Sequence, residues 1–408
     1  MIVGAGPGGA CLALHLARQG VPLTLVETMR SPGGRFRGEA LMPHGLEVLA
    51  AMELLPLPAP IPQCPLQGWR YVVNGHDWFR LREPLESGGG RRCTLISQPA
   101  LLQHLLRELQ QFDHVALLQG QTAETLLWQG ERIAGVRLND GRELPARVVV
   151  AADGRSSRLR HQAGLALEQL GPGFELLWFQ LQEADPGPLA GEFVTLIGPA
   201  GICSAFASAS GSVQVGWVQP QGKHHRLDWA EQLAAQSPGD LAPWWRQQAE
   251  AFKTPNRLRV QVGHAQRWWQ PGLLLLGDAA HPMSPVRAQG INLALRDAWV
   301  AGCELGPLLR EQAHEPALDA ALARIEAQRR AEISGLQRHQ AAETAKGMLL
   351  LHQPQLRRLA AASAPWLGSL VARRWRHEQR PFRQGIGTPT GLNRSAAAAT
   401  APRALPPQ

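Results

Sequence analysis

The 408-residue sequence contains few of the features that mark membrane, secreted or metal-binding proteins. No uninterrupted apolar run approaches the roughly 18–20 residues that a membrane-spanning helix needs, so an integral membrane protein is not expected. The start, MIVG, has no basic stretch before an apolar segment, so we expect no secretory signal. The five cysteines have no CxxC spacing and the histidines no metal-ligand spacing. We therefore expect no disulfide framework, no metal and a reducing, cytoplasmic location.

Lysine is also scarce, and the excess of basic residues comes from arginines at one end of the chain. Residues 357–408 hold nine of the 41 basic residues and one of the 33 acidic ones, which accounts for the net charge of +8. The rest of the chain is formally neutral, so no nucleic-acid partner is expected. Beside these arginines, apolar residues from Trp366 to Trp375 recur at helical spacing. Two alternatives stay open: a peripheral helix on an anionic membrane surface, or a solvated helix packed on the body.

The N-terminal segment is typical of a strand, a glycine-rich turn, a helix and a second strand. Residues 4–9 read GAGPGG and fit the pattern GxGxxG. Gly4 and Gly6 allow the backbone to approach a pyrophosphate closely, and Gly9 lets the helix pack on the strand. Glu27 ends the second strand, where a carboxylate can accept hydrogen bonds from ribose hydroxyls. These features together predict a dinucleotide site.

Two further segments each run from a buried strand into a loop that contains an aspartate, and then into a helix. Residues 148–160 read VVVAADGRSSRLR and place Asp153 after the strand. Residues 273–282 read LLLLGDAAHP and place Asp278 in the same way. Because ligands bind at the carboxyl ends of the strands in an open parallel sheet, both loops are expected at the same edge as the glycine turn.

The predicted fold class is α/β, with a Rossmann-like dinucleotide-binding domain built from discontinuous segments, a smaller β-sheet substrate domain and a helical C-terminal region. We assign 1–68, 93–170 and 263–305 to the dinucleotide domain and 69–92 and 171–262 to the substrate domain. Residues 306–376 are assigned to C-terminal helices. The last segment, 377–408, is low in complexity and is expected to be a basic disordered tail.

In their order and spacing the three motifs resemble the FAD-dependent aromatic hydroxylases, the para-hydroxybenzoate hydroxylase-like flavoprotein monooxygenases. The arginine segment GRFRG at 34–38 and Gln98 at the head of a helix also resemble that family. The resemblance implies FAD as cofactor, NADPH or NADH as electron donor, and O2 and a small molecule as substrates. The cofactor-binding residues expected are Gly4, Gly6, Gly8, Gly9, Glu27, Arg35, Arg37, Gln98, Asp153, Gly154, Asp278, Pro285, Gly290, Ile291 and Asn292.

The resemblance also implies how these residues divide the cofactor. Asp278 would hold the ribityl chain, Pro285 would lie beside the isoalloxazine, and Asp153 and Gly154 would serve both FAD and the nicotinamide cofactor. Backbone amides at 290–292 would point at the pyrimidine end of the flavin, where a helix N-terminus stabilises the anion of reduced flavin.

The implied activity is hydroxylation of an aromatic or other electron-rich, lipophilic molecule through a flavin C4a-hydroperoxide. A flavin-dependent reductase or halogenase of the same fold, acting on an isoprenoid or aromatic substrate, stays open as an alternative. A binding protein without catalysis is the alternative from another class. No acid–base constellation is visible, so no catalytic residue is assigned.

Several residues have roles that the sequence leaves open. The run VRA at 286–288 departs from the glycine-rich run usual in the family, and Arg287 could bind an acidic substrate or face solvent. His281 is a candidate base that fits a structural role better. Tyr71, the only tyrosine, is a candidate for activating a phenol. The candidates for either a substrate cavity or ordinary core are Trp178, Phe179, Phe206 and Trp217.

Overall fold

The computed structural model describes residues 1–31, 39–86, 89–171, 173–182, 184–219, 228–387 and 392. Arg35 and Arg37 of the predicted site lie outside these residues. Within them the helices are α1 (Pro7–Arg18), α2 (Pro43–Ala51), α3 (Gln98–Leu109), α4 (Arg158–Gln162), α5 (Trp229–Ala235), α6 (Leu241–Gln247), α7 (Gln289–Arg310), α8 (Glu315–His352), α9 (Pro354–Glu378) and α10 (Arg380–Gln384). 

A six-stranded sheet carries the three predicted ligand loops. Its strands, in spatial order, are Trp269–Gln270, Leu273–Leu275, Val149–Ala151, Ile2–Val3, Leu23–Glu27 and Val115–Gln119. All neighbours pair in parallel except the first two. The central strands are buried on both faces, as expected for a parallel sheet: α1, α3 and α7 cover one face, and residues 123–138 cover the other. The predicted α/β fold class is confirmed.

A seven-stranded sheet forms the second layer. Its strands, in spatial order, are Asn256–Val260, Phe174–Leu181, Val213–Val218, Gly201–Ala207, Glu192–Gly198, Gly68–Val73 and His76–Arg82. The helices α5 and α6 pack on one face of this sheet. The opposite face packs against Ala40, Met42, Ala288 and two residues of α9, Ala372 and Trp375. The sheet therefore lies against the segment that leads into the predicted flavin-binding helix.

Three smaller sheets complete the strands of the described residues. One joins Ala123–Gln129, Arg132–Leu138 and Glu143–Pro145, a second joins Ala40–Leu41, Gln63–Pro65 and Thr94–Ile96, and a third pairs Leu167–Gln169 with Gly263–Ala265. The strand Glu143–Pro145 ends at Pro145, because Val149–Ala151 pairs with the strands on either side of it in the six-stranded sheet.

The C-terminal region is helical, and it extends beyond its predicted limits. The boundary expected between 305 and 306 is misplaced, because α7 continues without a break to Arg310. The expectation of disorder from 377 is wrong for the residues up to 384, which complete α9 and form α10. Phe382 and Arg383 are both 2% exposed. The other domain limits stay a prediction.

The physical reason for the ordered segment is a buried ion pair that composition cannot reveal. The Arg383 guanidinium donates to both carboxylate oxygens of Glu83, at 2.6 and 2.8 Å, and to both of Glu86, at 2.7 and 2.8 Å. These charge-assisted bonds keep the pKa of Arg383 raised although burial alone would lower it. The basic segment is thereby bound to the end of the strand His76–Arg82 in the seven-stranded sheet.

No helix within the described ranges is both long enough and apolar enough to cross a bilayer.

Candidate active site

The glycine turn brings the first strand, α1 and the second ligand loop closer together than side chains would allow. Gly4 has a φ of +100°, and a Cβ there would lie 2.7 Å from the carbonyl carbon of Ala152. A Cβ at Gly9 would overlap the carbonyl oxygen of Gly4. Gly6 is the N-cap of α1 and has no side chain that could accept a hydrogen bond from the first amides of the helix. These amides are therefore left for an anion.

Gly8 makes the corresponding contact with the third ligand loop. A Cβ at Gly8 would lie 2.5 Å from Cδ2 of Leu276 and 3.3 Å from the carbonyl oxygen of Ala294 in α7. The helix α1 therefore lies close to α7. The predicted glycines meet at one point of the sheet edge, which is the cradle that a pyrophosphate needs.

Glu27 is held beside this turn by the backbone. Its Oε2 accepts a hydrogen bond of 2.6 Å from the amide of Ala5, and its Oε1 accepts one of 2.8 Å from the amide of Met29. The carboxylate is therefore fixed at the carboxyl end of its strand. Each oxygen keeps a further lone pair that could accept a ribose hydroxyl.

Two predicted residues carry buried polar atoms that have no partner among the described residues. Asp153 Oδ2 accepts a hydrogen bond of 3.3 Å from the amide of Leu159, whereas Oδ1 is unpartnered. Gln98, at the start of α3, is 4% exposed and its Oε1 is unpartnered. Gly154 follows Asp153 with a φ of +84°. Because buried polar atoms almost always have hydrogen-bond partners, these two favour a polar ligand, and the donor groups of FAD fit them.

The third loop brings Asp278 to the start of α7. A Cβ at Gly290 would lie 3.9 Å from Asp278 Oδ1. Asp278 also lies 3.7 Å from the exposed guanidinium of Arg155. Pro285 is exposed at the head of the turn before α7. The structure thus brings Asp278 and Gly290 together.

Asn292, in the first turn of α7, joins that helix to the strand Ala40–Leu41. Its side chain is fully buried, accepts a 2.8 Å bond from the amide of Met42, and donates to the carbonyls of Ala40 at 3.0 Å and Ala288 at 2.7 Å. Both N–H groups of the side chain are used, so the donors that remain there for a flavin are backbone amides such as that of Ile291. This agrees with the backbone role expected for 290–292.

His281 belongs to a buried ion network and not to the edge of the site. Its Nε2 lies 2.6 Å from Asp297 Oδ2, and Arg329 donates to Asp297 Oδ1 at 2.6 Å. Burial alone would raise the pKa of Asp297, but the charges of His281 and Arg329 lower it to about 2. Glu332 pairs with Arg329 and with Arg296. The contacts support the structural role over the role of a base.

Comparisons with known proteins agree with this geometry. A family model described as an FAD binding domain matches residues 1–333. The chain belongs to this family. It is 35% identical over 347 residues to a 6-methylpretetramide 4-monooxygenase from Streptomyces rimosus, covering 79% of each chain. It is 29% identical over 343 residues to the ubiquinone hydroxylase UbiL of Rhodospirillum rubrum, covering 81% of this chain and 77% of the relative.

The fold also matches that of solved flavoproteins. PqsL of P. aeruginosa, solved with 2-aminobenzoylacetate, superposes with a TM-score of 0.76 at 24% identity over 88% of this chain and 97% of PqsL. The family model and the 35%-identical monooxygenase together show that the chain is an FAD-dependent monooxygenase, which confirms the predicted family and cofactor. Members of this class typically take electrons from NADPH or NADH.

In this monooxygenase, Arg287 lies inside an aromatic box. Its side chain is 6% exposed, so the alternative in which it faces solvent is wrong. The guanidinium carbon lies 5.5 Å from the ring centres of Trp69 and Tyr71 and 4.9 Å from that of Trp375. Arg287 pairs with Glu343 of α8 and also donates to the Tyr71 hydroxyl. The positive charge is neutralised within the box.

The four aromatic candidates of the central strands divide between the two faces of the seven-stranded sheet. Trp178 and Phe206 lie on the face that packs against Ala40 and Ala288. Phe179 and Trp217 lie on the face covered by α5 and α6 and are ordinary core. The reason is the period of two in a strand, which sends neighbours such as 178 and 179 to opposite faces.

Aromatic rings continue across several strands on the face that packs against Ala40 and Ala288. Trp69 lies opposite Phe193, and Phe193 lies opposite Phe206, with ring centres 5.0 and 5.2 Å apart. Trp178 follows at 6.4 Å from Phe206. These four residues are called the aromatic row.

Sequence reasoning missed three polar side chains near this row. Glu343 partners Arg287 from α8, and Ser208 faces the carboxyl group of Glu39, which lies directly after the arginine segment. The unusual arginine in the run at 286–288 was the one available signal for an acidic partner. Nothing in the sequence indicated Glu39 or Ser208.

Proposed function

We propose that this monooxygenase hydroxylates a neutral, electron-rich aromatic molecule, with NADPH or NADH as the electron donor and O2 as the oxygen source. The observation that carries the proposal is the aromatic row, which lies on the sheet face packed against Ala40 and against Ala288, the residue before α7. Aromatic side chains pack well on planar rings and leave a water-poor surface. The names of the pretetramide monooxygenase and the ubiquinone hydroxylase also favour a ring compound as substrate.

The charges around the row favour a neutral substrate. Among the described residues, Arg287 is a cation that lies over a ring of the row, that of Trp69, and Glu343 already pairs with it inside the box. An acidic substrate would have to displace that carboxylate, which leaves a partly buried charge without its partner. A neutral ring compound has no such cost.

FAD, when bound, would supply the electron transfer and the activation of oxygen, while the chain binds, orients and excludes water. The turn of Gly4 and Gly9 with Glu27 would hold the adenosine half. Asp278 and the first amides of α7 would hold the flavin half. Gln98 and Asp153 would satisfy their unpartnered oxygens on the same cofactor.

The test begins with the purified protein, which should be yellow and should lose that colour when NADPH is added without oxygen. NADPH oxidation is then followed with phenols, quinol precursors and isoprenoids, and product masses are measured. A gain of one oxygen supports the proposal. A reduced product without added oxygen would support the reductase alternative, and a product that has gained a halogen would support the halogenase. A protein that binds no FAD would support the binding protein without catalysis.

We also propose that the enzyme contacts an anionic membrane surface through α9. The helix uses Gly368, Ala372 and Trp375 to pack on the body. Its other face exposes Trp366 by 80% and Leu370 by 63%, and further exposed apolar side chains are Leu356, Leu359 and Leu367. The exposed arginines along the helix are Arg358, Arg373, Arg374 and Arg376. Apolar side chains flanked by arginines match an anionic bilayer surface in both chemistry and charge.

The test substitutes the exposed face and leaves the packed face intact. We expect the full chain to sediment with vesicles that contain phosphatidylserine, and the double variant Trp366→Ser, Leu370→Ser to stay in the supernatant with FAD still bound. Removal of residues 366–408 is unsuitable, because it would also remove Trp375 and Arg383 from the core. Equal sedimentation of both proteins would reject the membrane proposal. A difference in oligomeric state between the two proteins would instead indicate that the exposed face of α9 binds a second copy of the chain.

A further inference from the structure

Glu39 is a buried carboxylic acid that the functions proposed above do not use. Glu39 is 9% exposed, and it immediately precedes the strand Ala40–Leu41. Its carbonyl oxygen accepts a 2.9 Å bond from the amide of Ile96, so the backbone is fixed in the small sheet. The backbone of Glu39 is therefore held at a defined place, and the side chain that it carries is largely buried.

The carboxyl group is only partly satisfied. The Ser208 hydroxyl and the Ala209 amide are the hydrogen-bonding groups that face it, whereas Oε2 has no partner among the described residues. Burial raises the pKa of Glu39, and these two groups offset only part of that rise. Because a buried polar atom without a partner is unfavourable, a ligand group that bonds to Oε2 would recover that loss.

The position of Glu39 indicates which ligand that is. Ser208, which faces the carboxyl group, lies two residues after Phe206 of the aromatic row, and residues two apart along a strand share a face. Ala209, which also faces the carboxyl group, and Ala288, which precedes α7, pack against the apolar cluster that contains Phe206. Glu39 thus lies between the seven-stranded sheet and the start of α7, since the carbonyl oxygen of the next residue, Ala40, accepts a hydrogen bond from Asn292 of α7.

We propose that Glu39 positions the aromatic substrate by a hydrogen bond between its unpartnered oxygen and a hydroxyl or amino group on the substrate ring. Such a bond would make Glu39 the residue that favours a ring bearing a hydroxyl or amino group over the corresponding aryl ether. This inference rests on the proposed function for the presence of an aromatic substrate. The hydroxyl or amino group also makes such rings electron-rich, as the proposed hydroxylation requires.

The experiment compares two probes that differ only in the donor, 1-naphthol and 1-methoxynaphthalene. Each is titrated into the oxidised, FAD-loaded enzyme, and the dissociation constant is read from the change in flavin absorbance. The proteins are the wild type, Glu39→Leu, Glu39→Gln and the surface control Glu131→Leu. FAD affinity and thermal midpoint are measured for each protein in parallel.

For the wild type and Glu131→Leu we expect 1-naphthol to bind at least about tenfold more tightly than its ether, because a hydrogen bond to a carboxyl group is lost in the ether. Glu39→Leu should reduce that ratio to about one. Glu39→Gln keeps an oxygen acceptor, so it should retain most of the ratio even if the leucine variant folds poorly.

Three results would overturn the assignment. One is an unchanged ratio in Glu39→Leu, and another is a wild type that binds the two probes equally or binds neither. The third is a Glu39→Leu variant that loses FAD affinity while the ratio persists, which would make Glu39 a cofactor contact. Because these titrations need no turnover, a failure to incorporate oxygen would refute the proposed function without affecting this result.

Discussion

Acidification should destabilise the protein through His44, which is fully buried in α2. Its Nε2 lies 3.3 Å from Gln289 Oε1, at the start of α7, and its Nδ1 has no partner among the described residues. Burial, together with the charge of Arg296, lowers the pKa of His44 to about 3. The folded protein therefore keeps this imidazole neutral at any pH at which an enzyme is normally assayed.

The sign and size of the effect follow from the two pKa values. The unfolded chain takes up a proton at His44 below about pH 6.5, whereas the folded chain does not until about pH 3. The stability that His44 contributes is thus present above pH 6.5 and is lost as the pH falls. Between about pH 7.5 and about pH 5.5 the loss is about 1.4 kcal/mol. His15, whose pKa burial also lowers to about 4, adds a separate loss.

The assay is urea unfolding at both pH values for the wild type, His44→Gln and the control His76→Gln, whose side chain is exposed. We expect His44→Gln to lose about 1.4 kcal/mol less on acidification than the wild type, and His76→Gln to lose as much as the wild type. If His44→Gln and the wild type lost the same free energy of unfolding on acidification, the inference that His44 is buried in its neutral form would be refuted.

Three further substitutions test the cradle, the C-terminal ion pair and the start of α7. Gly9→Ala places a Cβ against a backbone carbonyl, so FAD fluorescence titration should show binding at least about tenfold weaker, while Gly239→Ala, with open space around it, should bind FAD normally. Arg383→Met leaves two glutamates without their guanidinium and should lower the free energy of unfolding in urea by about 3–5 kcal/mol. An unchanged urea midpoint would contradict a stabilising role for this ion pair. Asn292→Ala removes three buried hydrogen bonds and should cost about 2–3 kcal/mol, seen as a lower thermal midpoint; a midpoint equal to that of the wild type would show that the join to the strand is not needed.

The fold class and the edge of the sheet that carries the site could be predicted because their signals are local. A glycine at 4 with positive φ, a carboxylate at 27 and aspartates at 153 and 278 each end a short apolar strand. Parallel strands then bring these ends to one edge whatever the rest of the chain does. The residue-level roles on FAD remain predictions, and those of Arg35 and Arg37 lie outside the described residues.

The surroundings of Arg287 could not be predicted, because they depend on residues far apart in the sequence. The sequence showed only a departure from a glycine-rich run. The structure places its guanidinium against Trp69, Tyr71 and Trp375 and pairs it with Glu343. Neither of the two alternatives considered from the sequence included an internal ion pair.

The order of the C-terminal segment also could not be predicted, because it too depends on residues far apart in the sequence. Composition and charge favoured disorder from 377, and the segment up to 384 is instead helical, with Arg383 in contact with Glu83 and Glu86. A basic run is unfavourable to bury only when its charges lack partners, and the partners here come from a strand end about 300 residues earlier.

The sequence by itself determined the α/β architecture, the dinucleotide cradle and the membership of a flavin-dependent family, because turn glycines and strand-ending acids act within a few residues of the chain. Only the tertiary structure decided which side chains lie on the sheet face that is proposed to meet the substrate. Strand parity separated Trp178 from Phe179, and the meeting of three segments left Glu39 with an unpartnered oxygen. Burial and partnership are properties of the packed chain, so the chemistry of the substrate site could be inferred only after the sheets had been brought together.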